Sequence, residues 1–235
     1  MTINCLICHE EILSVVSWTT LWSRPKENCL CQTCTDKLPV IKGDTCGKCS
    51  RPFSTLDPQF RKGNLCKDCV RWNQDTVWSG QLDKNHSIFG YDDFLKETIA
   101  RYKFRGDYIL AKAFSPFIIE RLQSLHFDFL VPIPLSPERI YERGFNQSSA
   151  LIQEAGFTTV ELLQRSHSEK QSKKSRKERI HLTQVFELFP ETAVKDKNIL
   201  LIDDIYTTGS TLYHAAKVLK ERGAASVCSF TLARG

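Results

Sequence analysis

Asn198-Ile-Leu-Leu-Ile-Asp-Asp-Ile-Tyr-Thr-Thr-Gly-Ser-Thr-Leu212 decides the fold of this chain. The apolar run Ile199–Ile202 predicts a strand buried on both faces, as in a parallel sheet. Asp203 and Asp204 then fall at its C-terminal end, where open α/β sheets place their ligands. Thr207, Thr208, Gly209, Ser210 and Thr211 follow and lead into a helical pattern. Gly209 permits positive φ and close approach of the backbone to a ligand. The first N–H groups of the next helix form an anion site, and the hydroxyls add donors. Carboxylates are poor partners for phosphate but good acceptors for two vicinal sugar hydroxyls. One short segment can therefore hold a ribose through its hydroxyls and a 5′-phosphate through its loop. The bland alternative is a buried strand, a capping residue and a helix with no ligand.

Strand, paired acids, Thr-Thr-Gly-Ser-Thr and helix in this order resemble the phosphoribosyl-pyrophosphate (PRPP) signature of type I phosphoribosyltransferases. The resemblance implies ribose and phosphate binding by Asp203, Asp204, Tyr206, Thr207, Thr208, Gly209, Ser210 and Thr211.

The chain has 235 residues, enough for one substantial domain and a small one. Hydrophobic residues make up 41% and charged residues 25%, the balance of a soluble globular protein. No apolar run approaches the ~18 residues of a membrane span. The N-terminus lacks the basic start and apolar core of a secretory signal, so the expected location is cytoplasmic.

Nine of the ten cysteines lie in the first 69 residues, and eight of these form Cys-x-x-Cys pairs. In a reducing cytosol that pattern means metal rather than disulfides. The pairs are Cys5/Cys8, Cys31/Cys34, Cys46/Cys49 and Cys66/Cys69. Each Cys-x-x-Cys turn supplies two of the four soft ligands zinc needs, at the correct bite. Two structural four-cysteine zinc sites, each built from consecutive pairs, are the simplest assignment. An interleaved scheme, first pair with third and second with fourth, fits the spacing too. Redox chemistry is the competing use of such pairs. Trp18, Trp22, Trp72 and Trp78 fall in the same region and suit core packing or base stacking.

Further on, Ser87–Tyr91 reads as a strand. Asp92 or Asp93 caps a helix to about Phe104, and Gly106 stops it. A second helix is expected over Leu110–Leu125, with a break near Pro116. Phe127–Ile133 reads as a buried strand leaving through a Pro-rich turn, followed by Arg139 and Arg143 and a helix at Ser148–Glu154. A rigid loop at a strand end with nearby arginines suits a pyrophosphate; paired surface arginines on a turn are the plain reading. Val160–Leu163 and Thr183–Leu188 are expected to pair as strands, and Ala225–Leu232 to form a last strand.

Taken in order, the cysteine pairs, Lys103-Phe-Arg-Gly-Asp107, Val131-Pro-Ile-Pro134, Glu142-Arg-Gly-Phe-Asn-Gln147, Arg165…Lys170-Gln171 and the terminal motif resemble the ComF family of competence proteins, of the ComFC type. The resemblance covers essentially the whole chain. It implies an α/β fold: a type I phosphoribosyltransferase-like, mostly parallel sheet with helices on both faces (85–235), preceded by a small cysteine-rich zinc-binding module (1–80). It also implies a role in natural transformation, at the handling of incoming single-stranded DNA, with a competence helicase of the ComF operon type as a possible partner. Leu135 and Ser136 would face pyrophosphate, with magnesium accompanying PRPP.

Between Arg165 and Arg179 seven Lys/Arg stand against two Glu, a surplus of +5 that equals that of the whole chain. This polar segment is expected to be mobile. Lys170, Lys173, Lys174, Arg176 and Lys177 would serve as a lid over PRPP, as a strip for nucleic-acid phosphates, or as a solvated linker. Two function classes follow. One is a single-stranded-DNA handling protein that binds PRPP or 5′-phosphoribosyl groups. The other is an active phosphoribosyltransferase with an unknown acceptor, for which no base-recognising hood is evident.

Overall fold

The computed structural model describes residues 3–12, 29–166, 185–190 and 193–235. Trp18, Trp22 and the lid or strip residues Lys170, Lys173, Lys174, Arg176 and Lys177 lie outside them.

Four strands build the central sheet: β5 (Lys84–Gly90), β6 (Phe129–Pro132), β9 (Asn198–Tyr206) and β10 (Ser226–Arg234). Their order is β5-β10-β9-β6, and every neighbouring pair is parallel. The last strand of the chain thus inserts between the first and third. Parallel pairing brings all four C-terminal ends to one edge, which is where an open α/β sheet holds a ligand.

The apolar run of β9 separates by parity. Leu200 and Ile202 join one core with helices α3 (Asp93–Phe104), α4 (Leu110–Gln123) and α6 (Gln147–Glu154). Ile199 and Leu201 join a second core with helix α7 (Ser210–Glu221). Two-sided burial is why this strand is continuously apolar. β9 outlasts the apolar run, because β10 keeps pairing with it as far as Arg234–Tyr206. Asp203 and Asp204 therefore sit inside the strand rather than beyond it.

Helix α3 begins where expected, with Asp92 accepting from the Leu95 N–H at 2.8 Å. Helix α4 does not break at Pro116. That proline is exposed, so the N–H it lacks falls on the solvent side of the helix. The flanking Phe114 and Ile118 are fully buried and hold both halves in line. β7 (Leu163–Arg165) and β8 (Phe186–Leu188) form the antiparallel pair expected at the base of the basic segment.

The cysteine-rich part contains short ribbons β1 (Ile3–Asn4) with β2 (Glu11–Ile12) and β3 (Arg61–Lys62) with β4 (Leu65–Cys66), and helices α1 (Gln32–Lys37) and α2 (Lys67–Gln74). Its two halves pack on different cores. Cys5, Ile7, Cys34 and Leu38 join the α3–α4 side, whereas Cys46, Cys49, Cys66 and Cys69 join the α7 side. Arg101 holds the first half by donating to the Ile7 carbonyl at 2.6 Å, and Asp107 pairs with Arg101 at 2.9 Å. The second half also meets a polar patch of the sheet. There Ser229 donates to Asn85 Oδ1 at 2.8 Å, Asn85 donates to Ser87 at 2.8 Å, and Ser50 donates to the Asn85 carbonyl at 2.7 Å. The connection through Pro39–Ile41 lies along β5 and covers that sheet edge, with Gly90 N–H donating to the Pro39 carbonyl at 2.8 Å.

Candidate functional site

The C-terminal ends of β9, β6 and β10 lie side by side at one edge of the sheet. Asp204 is buried and paired with Lys103 of α3 at 2.8 Å. Asp203 is half-buried, and its Oδ1 accepts from the Asp204 N–H at 2.9 Å. Burial and the neighbouring Asp204 carboxylate push the Asp203 carboxyl up to about 7, against the pull of Lys103 and Arg165.

Beyond them, Thr207 and Thr208 are exposed, and Ser210 and Thr211 are half-buried. Gly209, at φ 83°, is the N-cap of α7 and provides no side-chain cap. Only Thr208 Oγ1 approaches the Ser210 N–H, at 3.4 Å. The first turn of a twelve-residue helix therefore presents N–H groups to an incoming anion. Tyr206 is buried beneath the loop. A Cβ on Gly209 would come 2.2 Å from the Tyr206 hydroxyl, so no other residue fits. Gly209→Ala is expected to destabilise the protein by at least the ~1–2 kcal/mol of a left-handed alanine. A urea midpoint equal to wild type would show that the loop tolerates the side chain.

The Pro-rich loop after β6 forms the opposite wall. Leu135 lines a cavity of 340 Å³ together with Pro134, Ile140, Leu163, Arg165 and Phe189. Ser136 caps helix α5 (Pro137–Arg143), its Oγ accepting from the Arg139 N–H at 3.4 Å. Arg143 turns to Gln147 Oε1 at 2.9 Å and over the Phe104 ring at 5.5 Å. Arg139 is exposed and close enough for its charge to depress the Arg165 guanidinium pKa, after burial, which is the larger cause. Arg165 donates to the Pro134 carbonyl at 3.1 Å, joining the base of the basic segment to this loop.

The eight paired cysteines form two groups, Cys5/Cys8/Cys31/Cys34 and Cys46/Cys49/Cys66/Cys69, in each of which the sulfurs lie within 4.8 Å of one another. Consecutive pairs combine, and the interleaved scheme is not observed. Each group could hold one metal ion. The donor sets fit: Cys66 N–H donates to Cys46 Sγ at 3.2 Å and Cys34 N–H to Cys31 Sγ at 3.4 Å, contacts that favour thiolate. Thiol–thiol hydrogen bonds hold Cys46 far below the usual thiol range and push Cys49 and Cys69 far above it. A divalent cation would even out that division of charge among the four sulfurs.

Three contributors escaped sequence reasoning. Lys103 stood in a recognised motif, but nothing local joined it to Asp204, 101 positions away. Arg234 is 3% exposed and ties the loop to Cys49. Trp72 donates to the Thr208 carbonyl at 2.9 Å and stacks on Tyr213 with ring centroids 4.0 Å apart. A cation at the end of an apolar strand was the one available signal for Arg234.

The phosphoribosyl transferase domain family matches residues 140–235. Competence protein ComFC of Bacillus subtilis is 40% identical over 98% of this chain and 94% of its own. Its namesake in Streptococcus pneumoniae is 34% identical over 98% of this chain and 100% of its own. DNA utilization protein YhgH of Escherichia coli is 26% identical over 87% of this chain and 96% of its own. Among the described residues, no helix is long and apolar enough to cross a membrane. Shared sequence along nearly its whole length, with the transferase domain behind two cysteine quartets, makes this chain a member of the ComFC family of competence proteins.

Proposed function

We propose that this chain handles incoming single-stranded DNA in the cytoplasm and binds PRPP or 5′-phosphoribosyl groups at the β9 edge. The observation that carries this reading is Asp203 and Asp204 near the end of β9, one short loop ahead of a helix N-terminus with no side-chain cap. The carboxylates accept from ribose hydroxyls. The Thr207–Thr211 loop donates to the 5′-phosphate. Lys103 and Arg165 offset the charge of the acids. Leu135, Ser136 and Arg139 border the pyrophosphate. Magnesium accompanying PRPP would offset the charge of its phosphates. Zinc fills both quartets and stabilises their fold. Calorimetric titration with PRPP and magnesium tests the site; no saturable heat would leave the motif as scaffold.

A nucleic-acid surface lies beside this edge. Tyr141 is 92% exposed and Phe104 70% exposed, far beyond what packing requires. Arg143 covers the Phe104 ring, and Arg105 and Arg139 are exposed nearby in sequence. Exposed rings with arginines suit stacked bases and their phosphates. Phe104→Ala with Tyr141→Ala is expected to weaken oligonucleotide binding by about 1–3 kcal/mol per stacked base, with the salt slope unchanged. Neutralising Lys173, Lys174, Arg176 and Lys177 should instead flatten the slope. Equal affinity in the aromatic variant would remove this face from the path.

The second reading is an active phosphoribosyltransferase. The 340 Å³ cavity beside Leu135 and Arg165 favours it, because it gives an acceptor room next to the pyrophosphate wall. The anomeric C–O bond to pyrophosphate would break, a bond to the acceptor's nucleophilic atom would form, and the acceptor's proton would leave to solvent. Pyrophosphate release that depends on an added acceptor would establish it.

A further inference from the structure

We propose that Arg234 is a positioning residue through which the Cys46/Cys49/Cys66/Cys69 metal site sets the shape of the Thr207–Gly209 loop. The proposal rests on the sugar-phosphate reading of that loop and adds a dependence on the second metal site.

Arg234 ends β10, and its guanidinium lies between the quartet and the loop. Nε and Nη2 are each 3.4 Å from Cys49 Sγ. Nη1 donates to the carbonyls of Tyr206 at 3.0 Å and Thr207 at 3.1 Å, and also to the carbonyl of Gly235. The cation also lies over the Tyr206 ring, 4.7 Å from its centroid. A guanidinium this buried is costly unless a negative charge faces it. Among the described residues, Cys49 is the candidate metal ligand it touches. Four thiolates around a divalent cation carry a net negative charge, so a filled quartet provides the countercharge. Emptying the site removes it.

Trp72 acts in the same direction. It follows the ligand Cys69 by three positions on α2, and its Nε1 donates to the Thr208 carbonyl at 2.9 Å. The carbonyls of Tyr206, Thr207 and Thr208 are thus all drawn back toward the cysteine-rich part. In a trans peptide the N–H points opposite to the C=O. Fixing those three carbonyls turns the N–H groups of Thr207, Thr208 and Gly209 to the other side of the loop, away from the cysteine-rich part. A phosphate there meets a prearranged set of donors. A loop released from Arg234 would have to order itself on binding, at a cost in affinity.

The test uses the full-length zinc-loaded protein and the variant Arg234→Lys, which keeps the charge but cannot reach a sulfur and two carbonyls together. Three quantities are read: zinc release to a chromophoric chelator, amide hydrogen exchange at residues 206–209, and PRPP affinity by calorimetry. Expected are faster release of one of two metals, faster exchange in the loop, and PRPP binding weakened by about ten-fold or more, the loss of a charge-assisted hydrogen bond. A folded variant with wild-type zinc release and loop exchange would overturn the proposal, and so would unchanged PRPP affinity. If wild-type protein binds no PRPP, the sugar-phosphate reading fails, while zinc release and exchange still decide whether the strut exists. Should Arg234→Lys not fold, Trp72→Phe removes one donor and keeps the ring stack. Unchanged loop exchange in that variant would equally count against it.

Discussion

Removing metal from the paired cysteines with a strong chelator, under reducing conditions, is expected to abolish the cooperative melting transition. Of the eight paired cysteines all but Cys8 are buried or half-buried, and six belong to the two cores on either side of the sheet. A structural zinc contributes on the order of 10–16 kcal/mol to a small finger. A whole domain is stable by only about 5–15 kcal/mol. Loss of both ions should therefore leave residues 3–12 and 29–80 unfolded and uncover the sheet faces they protect. Cys66→Ser should reduce bound zinc from two equivalents to one, because it disables only one of the two groups. Metal analysis and a thermal melt check both. A melt unchanged after proven metal loss would show that the cysteines contribute packing alone.

Changing both acids, Asp203→Asn with Asp204→Asn, is expected to abolish PRPP binding without unfolding the protein. Hydrogen bonds to a charged acceptor contribute about 1.5–3 kcal/mol each, so losing two corresponds to 100-fold or more. The single change Asp203→Asn carries a further sign. The Asp203 carboxyl is raised to about 7 by burial and by Asp204, whereas in the unfolded chain it titrates near the ordinary carboxylate value of ~3.9. The folded state therefore binds the extra proton between those values. The stability tied to this group is present in full below ~4 and is lost as pH rises through about 7. At pH 8 the asparagine variant should melt higher than wild type, and the difference should shrink toward pH 5. Ligand affinity runs the other way in wild type, falling below about pH 7 as the acceptor is protonated. A variant that melts lower than wild type at pH 8 would contradict the strained pair.

That strain explains why the acids are legible in the sequence. Two adjacent carboxylates after four buried aliphatics oppose folding, which marks them as candidates for a role other than stability. Strand β9, helix α7 and the capped α3 were equally legible, because each follows from a local period or a capping residue. The Cys-x-x-Cys spacing specified the metal ligands but left their grouping open. Packing decided it, by burying each consecutive quartet against a different core. Pro116 misled because its effect depends on which side of the helix meets water, and only burial of Phe114 and Ile118 fixes that side.

What the sequence determined by itself was the chemistry available at each position and the elements that carry it. The Thr207–Thr211 loop, the two acids, four Cys-x-x-Cys pairs and one basic segment are all written locally. What tertiary structure decided was which of these meet. Inserting β10 between β5 and β9 places Arg234 between Cys49 and the loop, and packing α3 over the sheet delivers Lys103 to Asp204. Such pairs are separated by about a hundred residues or more, and no periodicity spans that distance. They form because a buried charge must find an opposite one once the sheet has closed around it.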